Sequence, residues 1–177
     1  MMVISVMCGL RSSMSIQPPT EIYGKRYYDG AYKEGTKAGT DVTPGMGVEY
    51  DSNGDVIPVD AVEPTGASAR FAIEPQVSDT TGRTNPIDDD YTETDELVRF
   101  FVGRPGDEVE NALLASGADL ATAGEADITT GTKLAFNDDG TLKEATVAGA
   151  EVVVALEDVD NSGASSGDFA RINVEVL

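Results

Sequence analysis

The chain has 177 residues, enough for one domain or two small ones, and carries 32 acidic against 12 basic residues for a net charge of −20. It holds one cysteine (Cys8), no histidine and no tryptophan, which excludes an intrachain disulfide, multi-cysteine metal sites and histidine general bases and removes most zinc chemistry. The acidic balance sets nucleic-acid backbones aside, since those need a basic patch. The 18 Asp beside only 5 Lys point to a salt-rich setting in which screening relieves self-repulsion.

In chain order, residues 1–10 (MMVISVMCGL) are apolar but too short to span a bilayer. Arg11 follows the run rather than preceding it, unlike a secretory signal. The run reads as an upstream extension of the frame, with Met14 as another start, or as an arm that docks on a neighbouring subunit. Pro18 and Pro19 then lead into the chain's single aromatic-basic cluster: Tyr23, Lys25, Arg26, Tyr27, Tyr28, Tyr32, Lys33 and Lys37. Tyr and Arg are favoured anchors of interfaces, so residues 1–40 are read as an arm and docking segment. The same residues also fit a strand whose tyrosines cover one end of a barrel.

Residues 41–56 (DVTPGMGVEYDSNGDV) recur as residues 127–142 (DITTGTKLAFNDDGTL) at a constant offset of 86. Asp41 falls on Asp127, Gly45 on Gly131, Val48 on Leu134, Tyr50 on Phe136 and Gly54 on Gly140. With a three-residue adjustment, RFAIE around Ile73 falls on VVALE around Leu156. A fixed-period match marks a duplicated structural unit. Asn53-Gly54 and Asp139-Gly140 stand at equivalent places and predict a type I′ hairpin in each copy. Asp51, Asn53 and Asp55 place oxygen ligands at first, third and fifth positions, as a calcium loop does, and Asp158 and Asp160 repeat that start. The twelfth positions are Val62 and Phe169, however, so the bidentate Glu is missing and turns are the preferred reading.

Residues 85–96 form an acidic loop, and LVRFFV at 97–102 predicts a strand. Asp107 followed by Glu110 is a capping-box pattern. With Val109, Ala112 and Leu113 on one face and Ser116-Gly117 as a stop, it predicts a short α-helix over 107–115. EVVVAL at 151–156 predicts a central strand. At 170–176, Ile172, Val174 and Val176 alternate with Arg171, Asn173 and Glu175, as in a half-buried strand.

The stretches VRFFVGRPGDEVENALLASGADLATAG, GTKLAFNDDGTLKEAT and VVVALEDVDNSGASSGDFARINVEV resemble small decoration, or cement, proteins of tailed-virus capsids, especially those of halophilic archaea. The resemblance covers about half of the chain. It implies a β-rich fold, a homotrimer on the capsid exterior and the major capsid protein as partner. The chain departs from that pattern in its acidic loop and its long aromatic N-terminal segment.

These readings give an all-β fold of two related barrel- or sandwich-like modules, 41–84 and 127–177, joined by the acidic loop, a strand and the short helix. Function is expected to be structural and non-enzymatic, with no cofactor, no nucleic acid and no membrane. The alternative is a secreted or surface-displayed calcium- or carbohydrate-binding module of a halophile, with a carboxylate-dependent hydrolase third. The charge balance makes one prediction directly. The melting temperature should rise from low salt to molar salt as the Debye length shrinks to about 3 Å. A flat or falling melting temperature over that range removes the salt-rich reading and leaves the fold untouched.

Overall fold

The computed structural model describes residues 24–25, 31–74, 87, 90–92 and 96–177. Its strands in chain order are β1 (Gly24–Lys25), β2 (Ala31–Thr36), β3 (Val48–Tyr50), β4 (Val56–Pro58), β5 (Arg70–Ala72) and β6 (Leu97–Val102). There follow β7 (Glu108–Leu114), β8 (Asp127–Ile128), β9 (Lys133–Phe136), β10 (Leu142–Glu144), β11 (Val153–Ala155), β12 (Val159–Asp160) and β13 (Ala170–Val176). Among the described residues, helical turns are limited to 3-10 pieces at Gly117–Asp119 and Ala123–Ala126 and a 3-10 position at Ile87. The fold is all-β, as the turn-rich, alternating sequence leads one to expect.

The second half closes into a five-stranded barrel in the order β7-β10-β9-β11-β13, with β13 returning to β7. The first half runs the same circuit. Strand β2 pairs with β6 and β6 with β5, β3 pairs with β4, and single bridges at Gly47–Phe71 and Lys37–Val56 complete the ring. The hairpin registers correspond pair for pair: Val48–Pro58 and Tyr50–Val56 in one, Leu134–Glu144 and Phe136–Leu142 in the other. Outer hydrogen bonds correspond too. Gly45 N donates to Ala72 O at 2.8 Å, as Gly131 N donates to Ala155 O at 2.8 Å. The correspondence also runs beyond the sequence match. Strand β6 stands where β13 stands and β2 where β7 stands, so Ala38 N bonds Val56 O at 3.1 Å as Ala115 N bonds Leu142 O at 2.9 Å.

The expected helix over 107–115 is instead strand β7, paired with β13 along most of its length. Its apolar spacing is helical only in appearance. Val109 opposes Val174 and Ala112 opposes Ile172, so two residues on β7 face one on β13. Such a bulge shifts the alternation by one position, and Asn111 takes the left-handed conformation it needs, with φ 63°. Asp107 caps a turn rather than a helix, its carboxylate accepting from Arg104 N at 2.8 Å. Sheet pairing supplies long-range partners that a nine-residue helix cannot match, since so short a helix is marginal without support.

The hairpin turns also differ from type I′. Gly54 (φ 88°) and Gly140 (φ 78°) are left-handed, but among the described non-glycine residues only Glu63 and Asn111 have positive φ. Gly54 N donates to Asp51 O and Gly140 N to Asn137 O, both at 3.1 Å. Each loop is therefore a type I-like turn closed by one left-handed glycine, the usual three-residue hairpin loop.

The first barrel encloses Val42, Val48, Val56, Ala72, Tyr91, Val98 and Phe100. The interior of the second barrel is continuous with a larger core that also takes in Val59, Phe71, Ile73 and Phe101 from the outer wall of the first. The wall of one barrel thus covers the mouth of the next. Gly47, on that wall, lies flat against the Phe136 ring, where a Cβ would overlap it. The two turn glycines separate strain from packing. A Cβ on Gly54 meets open space, whereas one on Gly140 would lie 2.6 Å from Gly47 O. Gly54→Ala should cost about 1 kcal/mol, the strain of left-handed φ alone. Gly140→Ala should cost more, about 3 kcal/mol, because the barrel contact is also wedged. Denaturant midpoints check this, and equal losses at the two positions would show that the turn does not bear on the barrel junction.

Candidate functional site

The mouth of the second barrel is sealed. Among the described residues nothing seals the mouth of the first, and its lining differs in character. In an antiparallel pair, residues directly opposite point to the same face. Phe100 points inward, so its partner Lys33 on β2 does as well, as do Val102 and its partner Arg70. Tyr50 closes this end with its ring edge-on to Phe100 at 5.9 Å, and the Arg70 guanidinium lies over the Tyr50 ring at 5.2 Å. That cation–π contact keeps the arginine at the mouth. Lys33 and Tyr50 are exposed, Arg70 and Val102 half-buried. The equivalent residues of the second barrel are Val109, Phe136, Val153 and Val176, all buried. Two cations stand where the second barrel has valines, and an exposed tyrosine stands where it has a sealed phenylalanine.

The sequence-predicted docking residues divide around this site. Tyr32 is exposed on the outer face of β2, opposite to the face that lines the mouth, with its ring 5.8 Å from Phe101, and Lys33 belongs to the mouth. For Lys25 only the backbone is described, in the β1 bridge opposite Glu108. Tyr23, Arg26, Tyr27 and Tyr28 lie outside the described residues. Lys37 departs from expectation. It is 1% exposed, fills the interior position that Leu114 fills in the second barrel, and reaches Thr40 O and Asp41 Oδ1 at 3.4 Å each. A buried lysine is no part of a docking surface.

The oxygen-rich loops fold on themselves. Asp51 Oδ1 accepts from the amides of Asn53 at 2.8 Å and Asp55 at 2.9 Å. The Asp55 amide above all, with the Asn53 and Gly54 groups, holds the Asp51 carboxyl below its usual range. Asp158 Oδ1 accepts from Thr130 N at 2.6 Å and Thr130 Oγ1 at 2.8 Å, and Asp160 Oδ1 from Ser162 Oγ at 2.7 Å. Each carboxylate serves a turn or a strand crossing. Among the described residues, no three of His, Cys, Asp and Glu form a metal-binding group.

A second cluster was not anticipated. Glu63, after β4 of the first barrel, is 5% exposed and has φ 49°. Its carboxylate meets Lys143 Nζ of β10 at 2.6 Å and accepts from Thr146 Oγ1 at 2.8 Å and Val147 N at 2.6 Å. Lys143 also pairs with Glu125. Burial pushes the Glu63 carboxyl up, but the Lys143 and Thr146 bonds outweigh it and hold the group below its usual range. For Lys143, burial acts to lower the ammonium, yet Glu125 and Glu63 raise it. The cluster is a latch between the barrels. No hydrophobic period or spacing announces it, since its members stand 80 residues apart in sequence (Glu63 and Lys143). The open mouth did leave a sequence signal. Within the repeat, Tyr50 stands opposite Phe136, and Arg70 opposite Val153.

A scan against protein-family models gives no match, and a search of the curated proteins likewise gives none.

The latch has a definite pH signature. Glu63 is held low, so its contribution is complete above the ordinary carboxylate range and is lost as pH falls through its lowered pKa. Lys143 is held high, so its contribution is present at neutral pH and is lost only as pH rises through its raised pKa. Glu63→Gln should therefore flatten the acid limb of the stability profile. Lys143→Met, which strands the Glu63 carboxylate in the core, should cost about 3 kcal/mol at neutral pH. Denaturant midpoints measured across pH test both, and an unchanged acid limb in Glu63→Gln would remove the latch.

Proposed function

We propose that this chain is a structural virion protein that decorates and stabilises the exterior of a viral capsid as a homotrimer bound to the major capsid protein. The observation that carries the reading is the first-barrel mouth. In a chain of charge −20, Lys33, Arg70 and Tyr50 gather at one barrel mouth. Acidic subunits of a homotrimer in a salt-rich virion repel when they meet, and a local cationic-aromatic patch relieves that repulsion between neighbouring copies, leaving the shell to a separate attachment segment. Its rings add contact area that salt does not weaken. The buried ionic groups support a scaffold rather than chemistry, since Glu63 and Lys143 are spent on joining the barrels.

Residues 1–30 are assigned to attachment. The docking segment ends there because β2 starts at Ala31 and is a wall of the first barrel. The test is co-expression with the major capsid protein and sedimentation of particles at molar salt. The full chain should travel with the particles. A variant lacking residues 1–30 should keep its far-ultraviolet β spectrum and lose about tenfold or more in occupancy, equivalent to about 1.4 kcal/mol of binding. A full chain that stays at the top of the gradient overturns the capsid reading. A truncated chain at full occupancy returns the tyrosines to the barrel.

A further inference from the structure

The contact between the two barrels is heterologous: it joins the wall of one to the mouth of the other. A tandem pair built this way leaves one mouth and one wall unused among the described residues. The unused mouth belongs to the first barrel. The unused wall belongs to the second, and the duplication identifies its residues. Phe71 and Phe101, paired on the wall of the first barrel, correspond to Val154 and Glu175, paired on β11 and β13. Ile73, whose amide bonds Arg99 O, corresponds to Leu156, whose amide bonds Asn173 O. Both surfaces hold large apolar side chains in the open, with Tyr50 40% and Leu156 39% exposed.

We propose that the open mouth of the first barrel binds the wall of the second barrel in another copy of this chain, repeating between molecules the contact that already exists within one. Charge complementarity selects this occupant. In the internal contact, wall residue Phe101 shares a core with mouth residues Val109 and Val153. At the free ends the wall position is Glu175, and the two mouth positions are Lys33 and Arg70. At these positions the wall carries Glu175 where the mouth carries cations, and Lys133, the wall's own cation at the position of Gly47, is paired with Glu151 at 4.0 Å. A solvated end of a chain this acidic has no need of clustered cations, whereas a mouth that receives Glu175 does.

The second contact is also looser. Gly47 and Gly103, which let the first wall lie flush on Phe136 and Val176, correspond to Lys133 and Leu177 on the second. The copies therefore dock at lesser depth than the fused barrels, and the association is reversible. A heterologous contact closes into a ring when its rotation divides a full turn, so a trimer assembled this way alternates fused and docked barrels.

The inference rests on the duplication and not on the capsid reading, so it is tested with the purified full chain alone, without capsid protein. Sedimentation velocity across a concentration series at moderate salt should show reversible self-association of the wild type. Arg70→Glu and Glu175→Arg should each weaken it by about tenfold, the loss expected for breaking one close charge pair. An equimolar mixture of the two variants should recover association, since each then finds a complementary surface on the other. That recovery also shows that both variants are folded. Leu156→Asp, which alters the same wall without touching the charge pair, should weaken association as well. A wild type that stays monomeric at every concentration, variants that associate like the wild type, or a mixture that fails to recover overturns the proposal. None of these outcomes bears on whether the chain sediments with capsids.

Discussion

The structure depends on the seating of the first barrel's wall in the second barrel's mouth. Phe71 and Phe136 lie 5.5 Å apart across this contact, and the approach is possible only because Gly47 has no side chain to hold the Phe136 ring away. Most strands of either barrel are two to four residues long, with four longer exceptions. Strands this short cannot bury enough surface to stand alone. Each buried Phe or Leu contributes about 1.5–3 kcal/mol, and the contact lets one core draw such residues from both barrels. The polar joints follow from that seating. Glu63 bonds Phe136 O through its amide and Lys143 through its carboxylate, and Arg171 donates to Pro44 O and Asn111 O at 3.0 Å each. These bonds fix the angle of a contact whose area comes from apolar side chains.

Given one shared core, the two copies have diverged in opposite ways. The second barrel has kept an apolar interior, with Leu114, Ile128, Leu142 and Ile172 all buried. The first has taken in Lys37 and Tyr91 at positions where the second holds Leu114 and Val159. Burying such groups costs several kcal/mol unless they find partners. Tyr91 does so, donating to Ile73 O at 2.8 Å and accepting from Arg99 N at 3.3 Å, and burial pushes its phenol up to about 12. The first barrel is thus the more polar inside and the more amphipathic at its mouth. The polar substitutions lie in the copy whose mouth is not sealed by the other.

The sequence made the hairpins legible because both strands and the turn between them keep one offset, so the register of β3-β4 predicts that of β9-β10. It made β6 and β13 legible as strands, but not as equivalents. The offset between them is 74 rather than 86, since the loops that precede them differ in length. The same drift hid the equivalence of β2 and β7. The bulge at Asn111 added a second disguise, turning an alternating strand into a three-residue apolar spacing that imitates a helix. Lysine is almost always a surface residue, so the sequence places Lys37 in the docking cluster. Only the ring closure at Val56 shows that it stands inside. The mouth lay in plain view as Tyr50 against Phe136, but a mismatch within a repeat gains meaning only when the matched residue is known to be buried.

A duplicated unit whose wall fits its own mouth always has two free ends, and selection for solubility acts on both. The simplest remedy in a chain of charge −20 would be to place carboxylates at each end, which also keeps copies apart. This chain has done so on one end only. Glu175 stands on the free wall, while the free mouth carries Arg70, stacked on Tyr50, with Lys33 beside it. Holding an arginine over an aromatic ring limits its motion and desolvates one of its faces, which a purely solvated charge does not require. Opposite signs on the two ends make them attract, and exposed Tyr50 and Leu156 give that attraction apolar area to close upon. In high salt the charges fade over distance but not at contact. They then choose the partner surface, and the apolar side chains hold it.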